Sequence, residues 1–133
     1  MSSEFESIII DFLKNNINPY LIILFGSYVK GNFRNDSDID IAFLSDNKFS
    51  NYEIFMFSQD LANILKHEID LINLKNASTV FKAQILGTGK VIYCTDENRR
   101  KYFAMRAYKE YALLNEERKV ILDKYIKEND INV

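Results

Sequence analysis

The sequence has almost no cysteine, no long apolar run and no basic start, and each absence narrows the class of protein. The one cysteine, Cys94, has no partner for an intrachain disulfide, so nothing in the chain calls for an oxidising compartment. No apolar stretch approaches the roughly 20 residues that a membrane-spanning helix needs. The opening residues MSSE lack the basic and apolar segments of a signal peptide. We therefore expect a cytoplasmic protein with no membrane contact.

The sequence also lacks an excess of positive charge. It has 17 Lys and Arg against 19 Asp and Glu, for a net charge of −2 at pH 7. Extended nucleic-acid binding normally needs a basic face, so this balance argues against it and against a processive polymerase. The 133 residues, 47% of them hydrophobic, suit one compact domain. We expect this domain to span residues 1–133, with a core at about 18–93 and a helical tail at about 96–128.

The most informative segment is LFGSYVKGNFRNDSDIDIAF, residues 24–43. In it Gly26 and Ser27 are followed, after ten intervening residues, by Asp38 and then Asp40. Side chains two residues apart on a strand point to the same face, so the two acids are expected to project together. Two ionised carboxylates this close repel each other unless a cation lies between them. Mg²⁺ suits this position because it takes oxygen ligands from carboxylates and substrate phosphates.

A phosphate-binding turn is predicted just before these acids. Residues 20–25 form a continuous apolar run of buried-strand length that ends at Gly26, where a bulky residue would keep a phosphate away from the backbone. Ser27 stands where a short helix to Lys30 would begin, and the start of a helix attracts anions. Gly31 would end that helix. The segment therefore predicts a strand, a phosphate turn, a short helix, a loop and a strand with the two acids.

The stretch GSYVKGNFRNDSDID resembles the signature of the DNA polymerase β superfamily of nucleotidyltransferases, which is Gly-Ser, about ten residues, then Asp-x-Asp. The small size most closely resembles the minimal nucleotidyltransferase antitoxins that are paired with HEPN-domain toxins. The resemblance extends over about residues 18–93 and implies transfer of a nucleoside monophosphate, AMP from ATP, to a hydroxyl with two Mg²⁺ ions. It also implies a cognate HEPN toxin as partner, with which the chain could form a hetero-oligomer. No residue identifies the nucleotide base.

The family also needs a third carboxylate, flanked by apolar residues on a later strand, and Asp70 fits that pattern. An acid in a short apolar strand either faces solvent or takes part in chemistry. Glu68 would share its face, so one of the two could be a plain solvated residue. The resemblance implies that Asp38 and Asp40 bridge both metal ions, while Asp70 binds the ion that activates the acceptor hydroxyl. Asp70 could also accept the proton of that hydroxyl.

Other polar residues near the motif have two interpretations each. Lys30 and Arg34 could neutralise the terminal phosphates of a nucleotide, and solubilising charge on an exposed loop explains them equally well. His67 could contact substrate, although a surface histidine is the simpler interpretation. Asp36 and Ser37 are expected to set the turn before the strand. The predicted site consists of Gly26, Ser27, Lys30 and Arg34 for the nucleotide, with Asp38, Asp40 and Asp70 for metal binding and catalysis.

Strands alternate with helices along the chain, which predicts an α/β or α+β fold. Helices are predicted near residues 3–13, 52–66 and 77–86, and strands near 20–25, 38–43, 67–72 and 91–93. The glycines in Gly87-Thr88-Gly89 are expected to break the third helix, and the last strand is expected at an edge. We therefore expect a small mixed sheet covered by helices on one side, as in a polymerase β-like nucleotidyltransferase, followed by a C-terminal helical segment.

The tail is the second informative region. Phe103, Ala107, Tyr111 and Leu114 follow helical spacing, and the charged run EERK at 116–119 interrupts the apolar pattern. A single helix over the whole tail would be about 50 Å long at 1.5 Å per residue. It either bends back as two helices or projects to meet a partner, and a helix that packs on the core with solvated charges is the plainer alternative. On the remaining surface of the tail, Tyr102, Tyr108 and Tyr111 would suit a protein interface, where tyrosine is enriched.

Three hypotheses describe the acceptor of the nucleotide. The resemblance implies adenylylation of a tyrosine on a HEPN ribonuclease toxin, which silences the toxin. A small-molecule enzyme, such as one that modifies an aminoglycoside hydroxyl, is the first alternative, although such enzymes usually have an additional substrate-binding domain. The second alternative is an antitoxin that acts by binding alone, which would not need three acids in one site.

Overall fold

The computed structural model describes residues 2–31, 33–34 and 37–128, so the predicted role of Asp36 lies outside the described residues. The chain alternates helices and strands in the order expected. The elements are α1 (Ser2–Asn16), β1 (Pro19–Phe25), α2 (Ser27–Lys30), β2 (Ile39–Ser45), α3 (Asn51–Leu65), β3 (Ile69–Asn73), a short 3₁₀ turn (Leu74–Asn76), α4 (Thr79–Thr88), β4 (Lys90–Cys94) and α5 (Glu97–Glu128).

The four strands form one mixed sheet in the order β3-β2-β1-β4. Strand β1 pairs antiparallel with both β2 and β4, whereas β2 pairs parallel with β3. The mixed sheet and the edge position of β4 are as predicted. Because β1 is antiparallel to β2, the end of β1 lies beside the start of β2, and the Gly26 turn therefore meets the acids at one end of the sheet.

Helices cover both faces of this sheet, whereas the sequence predicted cover on one side. Ile22 and Leu24 of β1 belong to a core that α1 and α3 complete. Leu21 and Ile23 point to the opposite face, into a core that includes Ile85 of α4. The continuous apolar run of β1 is the pattern of a strand buried on both faces, since an alternating pattern would leave one face to solvent.

Helix α4 runs through Gly87 and ends at Thr88, so the prediction that the helix breaks at Gly87-Thr88-Gly89 is wrong at its first residue. Gly89 caps the helix, and its N–H donates to the carbonyl of Ile85 at 2.8 Å. A Cβ at Gly89 would overlap the side chain of Ile23 and lie 2.6 Å from the Ile85 carbonyl oxygen. The glycine is therefore needed where the chain turns from α4 into β4 against the sheet.

The tail forms one uninterrupted helix of 32 residues, and so does not bend back as two helices. Its first half packs on α4, where Phe103 joins the core and the Tyr108 hydroxyl lies near Gly87. Ala107 is the one buried residue of α5, and residues 115–128 are exposed except for Ile126, which is half-buried. Within the described residues, no helix is both long and apolar enough to cross a membrane.

Candidate active site

The turn at Gly26 connects the end of β1 to the short helix α2. Gly26 has φ 74° and ψ −147°, a conformation that other residues rarely adopt. Its carbonyl accepts from the N–H groups of Val29 and Lys30, at 3.2 and 3.1 Å, which closes the first turn of α2. A Cβ at Gly26 would overlap the Asp40 carboxylate. The predicted turn is therefore confirmed as a structure, and glycine is required there because the carboxylate lies against the backbone.

Asp40 and Asp70 lie side by side on neighbouring strands. They are direct register partners in the parallel pair of β2 and β3, so their side chains leave the sheet on the same face. Ile39 and Ile41 point to the other face, into the core beneath α1 and α3. Asp40 is half-buried, and Asp70 is exposed. The sequence predicted the close carboxylate pair as Asp38 and Asp40 on one strand, whereas the in-register pair in the structure is Asp40 and Asp70 on two neighbouring strands.

Asp38 completes the acidic group from just outside the sheet. It precedes β2 and is exposed, rather than lying on the strand with Asp40. The chain beside it is held by the Ile39 N–H, which donates to the Glu68 carbonyl at 2.9 Å. Asp38 therefore reaches the site from a loop, where its side chain has more freedom than that of Asp40.

The three acids influence one another electrostatically. Partial burial of Asp40, together with the nearby charges of Asp70 and Asp38, raises its pKa from 3.8 to about 6. A like charge disfavours ionisation, and burial acts in the same direction. Neither Lys30 nor any other cation is among the causes of this shift. No nearby cation among the described residues therefore offsets the negative charges around Asp40.

An all-oxygen group with a deficit of positive charge has the chemistry of a Mg²⁺ site. Within the described residues, no three His, Cys, Asp or Glu side chains are already converged at metal-binding spacing. Asp38 and Asp70 are exposed, so both can turn toward Asp40 without disturbing the core. The residues present thus fit a divalent cation by charge and ligand type.

A cavity of about 200 Å³ opens beside Asp40. Gly26 and Lys30 line it on one side, and helix α4 lines it on the other with Gln84 and Thr88. Lys30 therefore lines the same cavity as Asp40, whereas Arg34 is exposed and does not line that cavity. No local sequence pattern points to Gln84 and Thr88, since their approach to Asp40 depends on how α4 packs across the sheet.

His67 is held by an aromatic cluster rather than lying on the surface. Its ring lies 5.3 Å from that of Phe5 and 5.2 Å from that of Phe33, measured between ring centroids. Nδ1 lies 3.3 Å from the carbonyl oxygen of Ser37. His67 is half-buried, so the prediction of a surface histidine is wrong. Because Phe33 and Ser37 belong to the segment between α2 and Asp38, the cluster anchors that segment to α1.

Ser27 begins α2 and is partly exposed beside the turn. The predicted residues thus fall into two groups in the structure. Gly26, Lys30 and Asp40 line one cavity, with Asp70 and Asp38 acting on Asp40 through their charge. Arg34 lies apart, where its backbone N–H donates to the Ser37 hydroxyl at 2.9 Å and its carbonyl accepts from the Ser37 N–H at 3.0 Å.

Comparison with known proteins gives matches that extend over most of the chain. Residues 7–98 match the family described as "Polymerase beta, Nucleotidyltransferase". The chain is 38% identical over 119 residues to the protein adenylyltransferase MntA of Shewanella oneidensis, which amounts to 89% of this chain and 85% of that protein.

Two solved structures are similar along nearly their whole length. One is a crystal structure of a toxin-antitoxin with AMP-PNP, with a TM-score of 0.80 and 38% identity, covering 91% of this chain and 98% of that chain. The other is a tri-AMPylated Shewanella oneidensis HEPN toxin in complex with its MNT antitoxin, with a TM-score of 0.79 and 35% identity, covering 95% of this chain and 99% of that chain.

Proposed function

We propose that this chain, which belongs to the polymerase beta nucleotidyltransferase family, transfers AMP from ATP to a tyrosine hydroxyl of a cognate HEPN toxin and so acts as its antitoxin. Family membership confirms the resemblance of the motif at residues 24–43. The proposed acceptor is supported by a relative described as a protein adenylyltransferase and by the structure of a tri-AMPylated HEPN toxin bound to its antitoxin. The proposed donor is supported by AMP-PNP in a similar structure.

The register of Asp40 against Asp70 is the observation that most supports a catalytic antitoxin. It brings two carboxylates from different strands to the turn at Gly26, and raises the pKa of Asp40 to about 6 through partial burial and like charge. Such a crowded acidic group destabilises a protein that does not use it. An antitoxin that acts by binding alone would have no need to keep it.

In the proposed reaction the acids hold metal ions, while the turn and Lys30 bind phosphate. Asp38, Asp40 and Asp70 would hold two Mg²⁺ ions, which would lower the pKa of the acceptor hydroxyl and neutralise the triphosphate. Gly26 and Ser27 would bind the terminal phosphates through the backbone of their turn, because Gly26 has no side chain to exclude them. Lys30 would neutralise phosphate charge from the wall of the cavity. Arg34 would assist only if the nucleotide extends beyond that cavity.

The transfer step forms one bond and breaks another at the α-phosphorus. The acceptor oxygen bonds to this phosphorus while the bond from it to the oxygen bridging the β-phosphate breaks, and pyrophosphate leaves with that electron pair. The proton of the acceptor hydroxyl passes to the Asp70 carboxylate in our proposal. Asp70 suits this role because it is the exposed member of the in-register pair, open to an acceptor that approaches from solvent.

We also propose that residues 1–133 act as one domain, with the helical tail as part of it. Packing of Phe103 and Ala107 against α4 supports this organisation. A cytoplasmic location is proposed as well, because a transferase that consumes ATP needs a compartment that supplies it.

The test combines the chain with α-labelled ATP, Mg²⁺ and the HEPN protein encoded next to it. We expect label on the toxin and loss of toxin ribonuclease activity. The double variant Asp38→Ala/Asp40→Ala should abolish both, whereas the matched control Glu68→Gln should keep both, since Glu68 is an exposed acid beside the same strand. Neutralisation that survives the double variant would instead establish binding alone. Absence of both labelling and neutralisation would favour a small-molecule acceptor.

A further inference from the structure

A second and larger cavity lies at the opposite end of the sheet from the acids. Its volume is about 850 Å³, and it lies between the start of β1, helix α4 and the first half of α5. A cavity of this size is within the usual range for small-molecule sites. We call it the basic groove and define it by the residues Tyr20, Lys75, Lys82, Arg99, Tyr102 and Arg106.

The groove is well separated from the predicted active site. Tyr20 and Gly26 are six residues apart along an extended strand, which corresponds to about 20 Å at 3.3 Å per residue. None of the residues that line the cavity beside Asp40 also lines the groove. A ligand in one can therefore be bound while the other is filled or empty.

The groove has more cations than its own carboxylates neutralise. Arg99 is committed to Asp46 through two hydrogen bonds of 3.0 and 2.6 Å. Within the described part of the chain, Lys75, Lys82 and Arg106 form no salt bridge. Asp96 and Glu110 are the acids that also line the groove. Lys75 also acts on the charge of Asp46, so the four cations Lys75, Lys82, Arg99 and Arg106 face the three carboxylates of Asp46, Asp96 and Glu110. This leaves a local excess of one positive charge in a chain whose net charge is −2, which favours an anion.

Aromatic rings stand among these cations. The Tyr102 side chain is 58% exposed, and Arg106 lies near its ring at 5.9 Å from the centroid. The Lys82 ammonium lies 5.7 Å from the centroid of the Phe103 ring, whereas Tyr20 is covered by the Arg99 guanidinium at 3.9 Å. The Tyr102 ring is therefore the one with the most surface open to a planar ligand. A base can stack on such a ring while nearby cations bind phosphate.

We propose that the basic groove binds a nucleoside phosphate, with the base on Tyr102 and the phosphates between Lys82 and Arg106. This site is separate from the one at Asp40 and independent of the transfer reaction. A long nucleic acid fits the surface less well than a single nucleotide, because the cations are confined to one cavity and the chain as a whole is acidic. A bare anion would use the cations and leave the ring unused.

The test titrates the isotope-labelled full chain with ADP and follows backbone amide shifts by NMR. EDTA is present so that the acids at Asp38, Asp40 and Asp70 have no divalent cation with which to retain the nucleotide. We expect saturable 1:1 binding with shifts around Lys82, Tyr102 and Arg106. Lys82→Gln and Arg106→Gln should each weaken binding by about tenfold, because each removes a charge-assisted contact with phosphate. Tyr102→Leu should weaken ADP binding but leave any binding of inorganic phosphate unchanged.

The control variant is Lys101→Gln, which removes a cation from the exposed side of the same helix without touching the groove. It should leave the affinity for ADP unchanged. The proposal is overturned by no saturation up to about 1 mM ADP, by shifts confined to residues 24–40, or by phosphate binding as tightly as ADP. A single-stranded RNA oligomer that binds far more tightly than ADP would also overturn it, in favour of a nucleic-acid surface.

Discussion

The two ends of the sheet are opposites in charge and in construction. At one end, backbone geometry fixes the acids: Asp40 lies against Gly26, and its register partner is Asp70. At the other end, the cations of the basic groove come from long side chains on α4, α5 and the 3₁₀ turn. At the acidic end a Cβ at Gly26 would overlap Asp40, whereas the groove is an open cavity of about 850 Å³. The acidic end should therefore fail sharply on mutation, and the groove gradually.

The largest effect is expected for Gly26→Ala. The new methyl group would overlap the Asp40 carboxylate in a backbone conformation that alanine rarely adopts. We expect transfer activity to fall by about 100-fold or more, since small displacements of catalytic groups cost this much, and stability to fall by about 3 kcal/mol. Steady-state transfer to the toxin and urea unfolding would measure the two effects.

Gly31→Ala is the matched control for this prediction. Gly31 also has a positive φ, of 83°, yet nothing lies within 4 Å of the position where its Cβ would be. Only the backbone cost of about 1 kcal/mol should appear, with activity retained in the folded protein. Equal loss of activity in both variants would show that backbone strain, rather than contact with Asp40, explains the requirement for Gly26.

The second effect separates Asp70 from its neighbour Glu68. Both acids are exposed, but only Asp70 contributes to the raised pKa of Asp40. Asp70→Asn should lower the transfer rate by about 100-fold or more, because even groups that only support metal ligands matter by 10- to 100-fold. Glu68→Gln should change it by less than about twofold. The reverse ranking would assign the third carboxylate to Glu68.

The pH dependence of Asp70→Asn tests its proposed role as proton acceptor. If the variant binds Mg²⁺ comparably and keeps an unchanged pH–rate profile, Asp70 does not accept the proton and serves only as a ligand.

The third effect concerns the stability of the metal-free protein. The folded state raises the pKa of Asp40 from 3.8 to about 6, so folding favours the protonated carboxyl. Its stabilising contribution is therefore complete below about pH 4 and is lost as pH rises through about 6. In EDTA at about pH 8, Asp40→Asn should be more stable than the parent by about 1 kcal/mol, a value discounted because the carboxyl is only partly buried and is screened by solvent.

Urea titrations at low and high pH would measure this difference, and Mg²⁺ should reverse it. A cation that binds only the folded parent stabilises the parent and not the variant. A stability gap that stays constant across the pH range would show that the asparagine acts through packing rather than through charge.

The smallest effect is expected at the groove, from Asp46→Asn. The Asp46 side chain is 74% exposed, and exposed ion pairs contribute little to stability, so the thermal midpoint should barely move. Without the Asp46 carboxylate, Arg99 can bind phosphate instead, so the affinity for ADP should rise by about twofold. Calorimetric titration would measure this change, and weaker binding would show that Asp46 holds Arg99 in the orientation that the groove needs.

The sequence predicted the acidic end well because its signals are local. The turn at Gly26 and the end of α2 at Gly31 each depend on the conformational freedom of one glycine. Both glycines and the short helix between them are found as expected. Asp70 was identified by its apolar neighbours, although its position opposite Asp40 depends on strand register. The distance along the chain between these two acids contains no information about that register.

The features that the sequence could not predict arise from packing between distant elements. His67 is half-buried because Phe5 and Phe33 meet around it, from α1 and from the loop after α2. Gly87 lies within α4, and the Tyr108 hydroxyl of α5 packs near it. The basic groove likewise draws its residues from four separate segments. No window of sequence contains these contacts.

The second half of α5 contributes no buried residue to the core. None of residues 115–128 is buried, and Ile126 alone among them is partly buried. Substitutions there are expected to disturb neither the sheet nor the acids, so this half of the helix can diverge quickly while the acidic end stays constant. If a family of such proteins diversifies to recognise different partners, its sequences should vary most over this stretch, and exchanging it between two members should leave the folding of each intact.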